Sequence, residues 1–105
     1  MTLEEVRQKN SIGIAGAAKV AAEKDKPLHY IFQCLARFYR GDYGVIPPED
    51  IAANNAELAA GEGRIIGKYQ AAEGLKEDIF IIAYFSDQHV ETDYNYTTVL
   101  YTSDY

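Results

Sequence analysis

The run DIFIIAYF, residues 78–85, is apolar at seven of its eight positions and rich in β-branched and aromatic side chains. It is too short for a buried helix, and it lacks the polar alternation of a strand with one wet face. It therefore reads as a central strand covered on at least one side. Outward from it, RIIGKYQ (64–70) and YTTVLYT (96–102) have the Ile, Val, Thr and Tyr content of flanking strands. Gly74 marks the first turn, and the long acidic linker SDQHVETDYN (86–95) leads into the last strand.

Before residue 64 the apolar period is helical. In LHYIFQCLARFYR (28–40), Leu28, Ile31, Phe32, Leu35 and Tyr39 fall on one helix face, widened by Cys34 and Phe38. Pro27 suits a first helical position, and Gly41 suits the residue that ends a helix. PPEDIAANNAELAAG (47–61) reads as a second helix, with Pro48 and two acids at its start and Gly61 as its stop. Between them, GDYG (41–44) reads as a corner, with Tyr43 tucked into the gap. At the N-terminus, Thr2 and Glu5 form a capping box for a helix over about residues 3–9. SIGIAG interrupts it, and helical composition resumes up to Pro27. The expectation is an α+β fold, N-terminal helices packed on a three-stranded antiparallel sheet. It forms a single domain over 1–105, with 1–26 as a loosely attached helical arm.

Net charge is −6, placed unevenly. Residues 1–40 carry seven Lys/Arg against four Asp/Glu (+3), and residues 41–105 carry three against twelve (−9). An acidic half repels nucleic acid and attracts basic protein surfaces, so direct nucleic-acid binding is not expected. No segment has the apolar length of a membrane span, and the N-terminus lacks the order of a secretory signal. The single cysteine suits a reducing compartment. The expected location is cytoplasmic.

Residue sets that carry chemistry are sparse. His29 and Cys34 are five apart, about 140° around a helix, and do not share a ligand face. Asp87, Glu91 and Asp93 share a loop without the glycine and alternating acids of an EF-hand. Ser86 and His89 lack a nucleophile elbow, and Cys34 falls on a buried face. GEGR (61–64) closes a helix where a phosphate loop would open one, leaving Arg64 to pair with an acid such as Asp42 or Glu62. Catalytic, cofactor and metal sites are therefore expected to be absent. Nine tyrosines are a distinctive feature. Tyr94, Tyr96, Tyr101 and Tyr105 lie among acids near the C-terminus; alternate ones suit either a binding surface or the sheet's own core.

Gly41, Asp42, Tyr43 and Gly44, then Glu49, Asp50, Asn54, Leu58, Gly61, Arg64, Ile65, Ile66 and Tyr69, form a spaced pattern. It continues through Ile79, Phe80, Ile81 and Ile82 to Thr97, Thr98, Val99, Leu100, Ser103, Asp104 and Tyr105. This pattern resembles a family of small phage- and plasmid-borne bacterial proteins. They have a GD(W/Y)G corner and a TTVLLP(S/D)EY-like C-terminus. The resemblance covers about the last two-thirds of the chain and implies an accessory protein of a mobile genetic element. This chain has tyrosine where tryptophan is usual, and a longer acidic loop before its last strand.

The functional expectation is a non-enzymatic protein that binds a partner with a basic surface. It would use Glu77, Asp78, Asp87, Glu91, Asp93, Tyr94 and Tyr96, and could inhibit a host nucleic-acid-handling defence enzyme of restriction or CRISPR type. The alternatives are a nucleotide-like ligand held where Tyr43, Arg64 and Tyr69 converge, and a homodimer formed through a free sheet edge.

Overall fold

The computed structural model describes residues 1–88 and 94–105, so the positions expected of Glu91 and Asp93 lie outside the described residues. Four helices are seen: α1 (Leu3–Lys9), α2 (Gly16–Ala21), α3 (Asp25–Tyr39) and α4 (Pro48–Ala60). Four strands accompany them: β1 (Ser11–Ile14), β2 (Glu62–Tyr69), β3 (Ile79–Ser86) and β4 (Tyr96–Tyr101). A short 3-10 turn at Thr102–Asp104 follows β4.

The α+β class holds, and β3 is flanked by antiparallel β2 and β4, with Ile81 opposite Gly67 on one side and Val99 on the other. The sheet itself differs from the expectation. It has four strands in the order β1-β4-β3-β2, and β1 runs parallel to β4. SIGI, read as a break in helical sequence, pairs from Ser11↔Tyr96 to Ile14↔Val99. Its partner lies at the other end of the chain, so nothing local could mark it as a strand. Residues 1–26, expected as a loose arm, supply α1, β1 and α2 and place Val6 and Ala18 fully in the core.

Side chains alternate between two sheet faces. Ile65 and Tyr69 of β2, Ile79, Ile81, Ala83 and Phe85 of β3, and Val99 and Tyr101 of β4 join one core with Ile31, Cys34, Leu35 and Phe38 of α3. Gly67 lies beneath α3, and a Cβ there would sit 3.0 Å from the Phe38 ring. The α3 stripe is centred on Cys34 and Phe38. Phe32, expected within it, is 56% exposed. The helix starts at Asp25, two residues earlier than expected, so Pro27 occupies its third and not its first position, still within the turn where a missing N–H costs nothing.

The outer edge of β2 is closed by two devices. Asn54, 2% exposed on α4, donates its Nδ2 to the Ile66 carbonyl at 2.9 Å and accepts the Ile66 N–H on Oδ1 at 3.1 Å. One amide side chain thus does what a neighbouring strand would do. Two residues on, the Lys68 N–H donates to the Tyr43 carbonyl (3.0 Å) and the Val45 N–H donates to the Lys68 carbonyl (2.8 Å). GDYG is therefore both a helix corner and a parallel bridge to the sheet. Gly44 has φ +74°, and a Cβ there would come within 2.0 Å of the Lys68 oxygen, so only glycine fits.

Asn54→Ala strips both partners from Ile66 and should cost about 2–4 kcal/mol in urea unfolding, since buried unpaired polar groups cost more than a hydrogen bond gains. Asn54→Asp keeps an acceptor for the N–H but sets a carboxylate against the Ile66 carbonyl, and it should fare no better. A cost under about 0.5 kcal/mol would mean that water replaces the side chain at this edge.

Candidate functional site

Arg64, Ile66 and Lys68 of β2, Phe80, Ile82 and Tyr84 of β3, and Tyr96, Thr98 and Leu100 of β4 share the sheet face opposite α3, by the same alternation. Tyr105 folds back over this face. Its ring meets Phe80 edge-on with centroids 5.4 Å apart, and the Arg64 guanidinium sits 5.6 Å from its centroid. Arg64, expected to pair with Asp42 or Glu62, is instead held on this aromatic face.

At the far end of β3 the face turns into a cleft of about 430 Å³ lined by Glu62, Gly63, Tyr84, Phe85, Ser86, Tyr94 and Tyr96. Tyr84 and Tyr96 are cross-strand partners whose rings stack 4.7 Å apart at 28°. Tyr94 and Tyr96 are 53% and 38% exposed. The floor is hydrogen-bonded: Asn95, 1% exposed, accepts the Ser86 N–H on Oδ1 (3.0 Å), and its carbonyl accepts the Ser11 N–H (3.2 Å). Behind it Asn10 donates Nδ2 to the Tyr84 carbonyl (3.1 Å) and to Thr97 Oγ1 (3.0 Å), which also bonds the Tyr39 hydroxyl. Glu62 begins β2 opposite Ser86, and Asp87 lies beside Gly61. Three tyrosines with carboxylates nearby are groups of the kind that can attract a cation, since an aromatic ring presents a negative face.

The predicted partner-binding set is split by the length of β3. Glu77 and Asp78 stand at its start and serve the fold. Glu77 accepts the Ser103 N–H at 2.8 Å and the Thr102 hydroxyl at 3.2 Å, while Asp78 accepts the Ala71 N–H at 2.8 Å and faces Lys68 Nζ at 4.0 Å. Asp87, Tyr94 and Tyr96 stand at its end. Glu62 and Tyr84, which the sequence reading did not place in this set, join them there. Only the register of β2 and β4 on β3 brings these positions together.

Tyr43, Arg64 and Tyr69 do not converge. Tyr43 is 6% exposed with its ring edge-on to Phe38, and Tyr69 is 1% exposed and donates its hydroxyl to the Asp42 carbonyl at 2.7 Å. Arg64 points from the other sheet face. Tyr69 does line a small cavity of about 150 Å³ with Arg37 and Lys68, but neither Tyr43 nor Arg64 borders it. Arg37 lies 5.0 Å from the Tyr69 ring centroid and grips Asp42 through Nε (2.7 Å) and Nη2 (3.3 Å), while Asp42 also accepts the Gly44 N–H (3.1 Å). This network holds the corner shape that the β2 edge requires.

Among the described residues no group of three or more His, Cys, Asp or Glu is placed to hold a metal. Burial pushes the Cys34 thiol up, away from the reactive thiolate. No helix of the described residues is long and apolar enough to cross a membrane. A separate cavity of about 710 Å³ lies elsewhere; Val20, Pro27 and Tyr101 line it together with Lys24, Lys26 and Lys76, with Asp25 and Glu73 among them. Comparison of the chain with protein-family models, curated proteins and solved structures found no match.

The Arg37 hydrogen bond, with help from the Gly44 N–H, holds the Asp42 carboxyl below its ordinary value of 3.8. A carboxylate with a lowered native pKa adds stability above its unfolded pKa and loses it as pH falls through the native one. Stability should thus decline as pH drops below 3.8. Asp42→Asn should flatten that part of a urea-midpoint profile while lowering stability near neutrality by up to about 1 kcal/mol, because the pair is half-exposed. An unchanged acid slope would remove Asp42 from the acid response.

Proposed function

We propose that the protein is a non-enzymatic binding protein that captures a basic segment of a protein partner. A lysine or arginine of that partner sits among Tyr84, Tyr94 and Tyr96, close to Glu62. The observation that carries this reading is the tyrosine cleft itself: exposed rings at the end of a strand, fixed from behind by a buried Asn95. Arg64 over Tyr105 is an intramolecular example of the same guanidinium–tyrosine contact on the same face. Tyrosine offers large contact area with few rotors to freeze, which suits an anchor. Asp87 and the −9 balance of residues 41–105 favour encounter with a positive surface.

Taken with the resemblance to mobile-element proteins, the partner class this reading favours is a host nucleic-acid-handling defence enzyme of restriction or CRISPR type. Such enzymes present the basic channels that an acidic, tyrosine-lined surface complements. The protein would then act by occupying that channel. Its chemistry is recognition, and it needs no cofactor.

A second reading has one observation behind it. The 710 Å³ cavity with Lys24, Lys26 and Lys76 in its lining has the size of a small-molecule site, and its cationic groups suit an anionic, nucleotide-like ligand. A nucleotide panel that raises the melting temperature of the wild type but not of a Lys24→Ala/Lys76→Ala variant would favour it.

The main reading is tested with paired baits. Wild type and a Tyr84→Ala/Tyr96→Ala variant are used to recover partners from nuclease-treated host lysate at about 0.15 M salt, where loose surface attraction is screened. One stoichiometric basic protein should come down with the wild type and be lost, at least tenfold, with the variant. Tyr→Phe changes at the same positions should retain it, because the ring face and not the hydroxyl makes the contact. Equal recovery by both baits would sink the cleft as the binding surface.

A further inference from the structure

The two edges of the sheet are treated differently. The β2 edge is closed by Asn54 and the Gly44 corner, whereas the β1 edge is open. In β1, the Ser11 N–H donates to the Asn95 carbonyl at 3.2 Å and the Ala15 N–H donates to the Val99 carbonyl at 2.8 Å. In a parallel pair the residues between those bonds point their backbone groups the other way. The N–H and C=O of Ile12 and Ile14 therefore face outward, and among the described residues no group pairs with them. No proline or lysine blunts this strand, the usual protection of an exposed edge.

Beside the edge lies an apolar groove of about 340 Å³, lined by Ile12, Phe32, Leu35 and Tyr39, with Arg7 and Arg40 at its rim. Ile12 and Phe32 are 49% and 56% exposed, an unusual surplus of large apolar surface at one spot. On the other side of β1, a Cβ at Gly13 would meet nothing within 4 Å. An added strand thus has backbone partners, an apolar seat on one face and free space on the other.

We infer that β1 accepts an extended peptide segment of a partner protein by strand addition, one in which acidic residues flank an apolar one. The charge selects this occupant. Arg40 makes no ion pair among the described residues, while Arg7 is shared with Glu4. Both arginines belong to the half of the chain that carries +3. A second copy of the same edge would set two arginine rims against each other, so self-pairing is disfavoured. In an added strand, alternate side chains reach the same face. The apolar residue covers Ile12 and Phe32, and acids two positions to either side of it meet the arginines. The inference does not depend on the tyrosine cleft, whose Tyr84 and Tyr96 lie on the opposite sheet face from Ile12 and which is proposed to take the opposite charge.

The test uses the full chain, isotope-labelled, titrated with the peptide Glu-Thr-Ile-Thr-Glu and, in parallel, with Lys-Thr-Ile-Thr-Lys. The acidic peptide should give saturable shifts centred on Ile12, Gly13 and Ile14. It should also slow amide exchange at Ile12 and Ile14, which is expected to be fast in the free protein, whereas Gly13 and Ala15 should already be protected by β4. Ile12→Pro deletes an outward N–H without removing a bond to β4, and it should weaken binding at least tenfold. Arg40→Glu, an exposed change that leaves the strand untouched, should abolish the preference between the two peptides and keeps the test decisive if the proline variant unfolds. Equal or tighter binding of the lysine peptide, or shifts centred away from β1, would overturn the inference. So would a concentration-dependent dimer in the absence of peptide that Ile12→Pro abolishes, since the edge would then serve a second copy.

Discussion

A strand at the end of a sheet has a row of N–H and C=O groups that must find water or a partner, and the organisation of this protein follows from how β2 meets that demand. Asn54 pairs with both backbone groups of Ile66, and the chain around Gly44 pairs with those of Lys68. To deliver these partners, α4 must run along the edge, and the α3–α4 connection must turn where it does. Arg37, Asp42 and Tyr69 hold that turn. Asn54 in the middle of a helix would otherwise be a poor choice, because its side chain competes with the helix backbone. Here it is spent on the neighbouring strand.

The helix side of the sheet is committed to the core; on the opposite face Ile82 and Leu100 are also buried, and what is left for surface chemistry is its aromatic and polar remainder. Its aromatic residues sort by position along β3. Near the start, Phe80 is covered by Tyr105, Glu77 ties the preceding loop to the C-terminal turn, and Asp78 accepts the Ala71 N–H within that loop. Near the end, Tyr84, Tyr94 and Tyr96 open into a cleft. The same residue types thus serve folding at one end and offer a surface at the other. What separates the two is whether the C-terminal residues reach them.

Much of this was legible residue by residue. The capping box at Thr2 and Glu5, the αL stop at Gly61 and the three C-terminal strands follow from short-range rules that the structure obeys. The α3 stripe was legible within one turn, though Phe32 is turned outward. Five contiguous i, i+3 and i+4 positions are compatible with a range of helix rotations, and packing against Gly67 selects one of them. The tyrosine surplus pointed to the C-terminal region, and Tyr94 and Tyr96 line the cleft. Glu62 and Tyr84 carried no local signal. They meet through the registers Glu62↔Ser86 and Tyr84↔Tyr96, and a shift of either register by one residue would turn alternate side chains to the other face.

By itself, the sequence determined the element types over most of the chain, the centrality of β3, the charge asymmetry, and the lack of any local pattern for metal, phosphate or nucleophilic chemistry. These depend on periodicity, caps and composition, which act over a few residues. Tertiary structure decided the rest. It made Ser11–Ile14 a parallel fourth strand, because only β4 offered its N–H groups acceptors. It placed Arg64 on the opposite face from Tyr69, because strand side chains alternate. It closed one sheet edge and left the other open, because backbone pairing is settled by which segments can reach an edge in three dimensions.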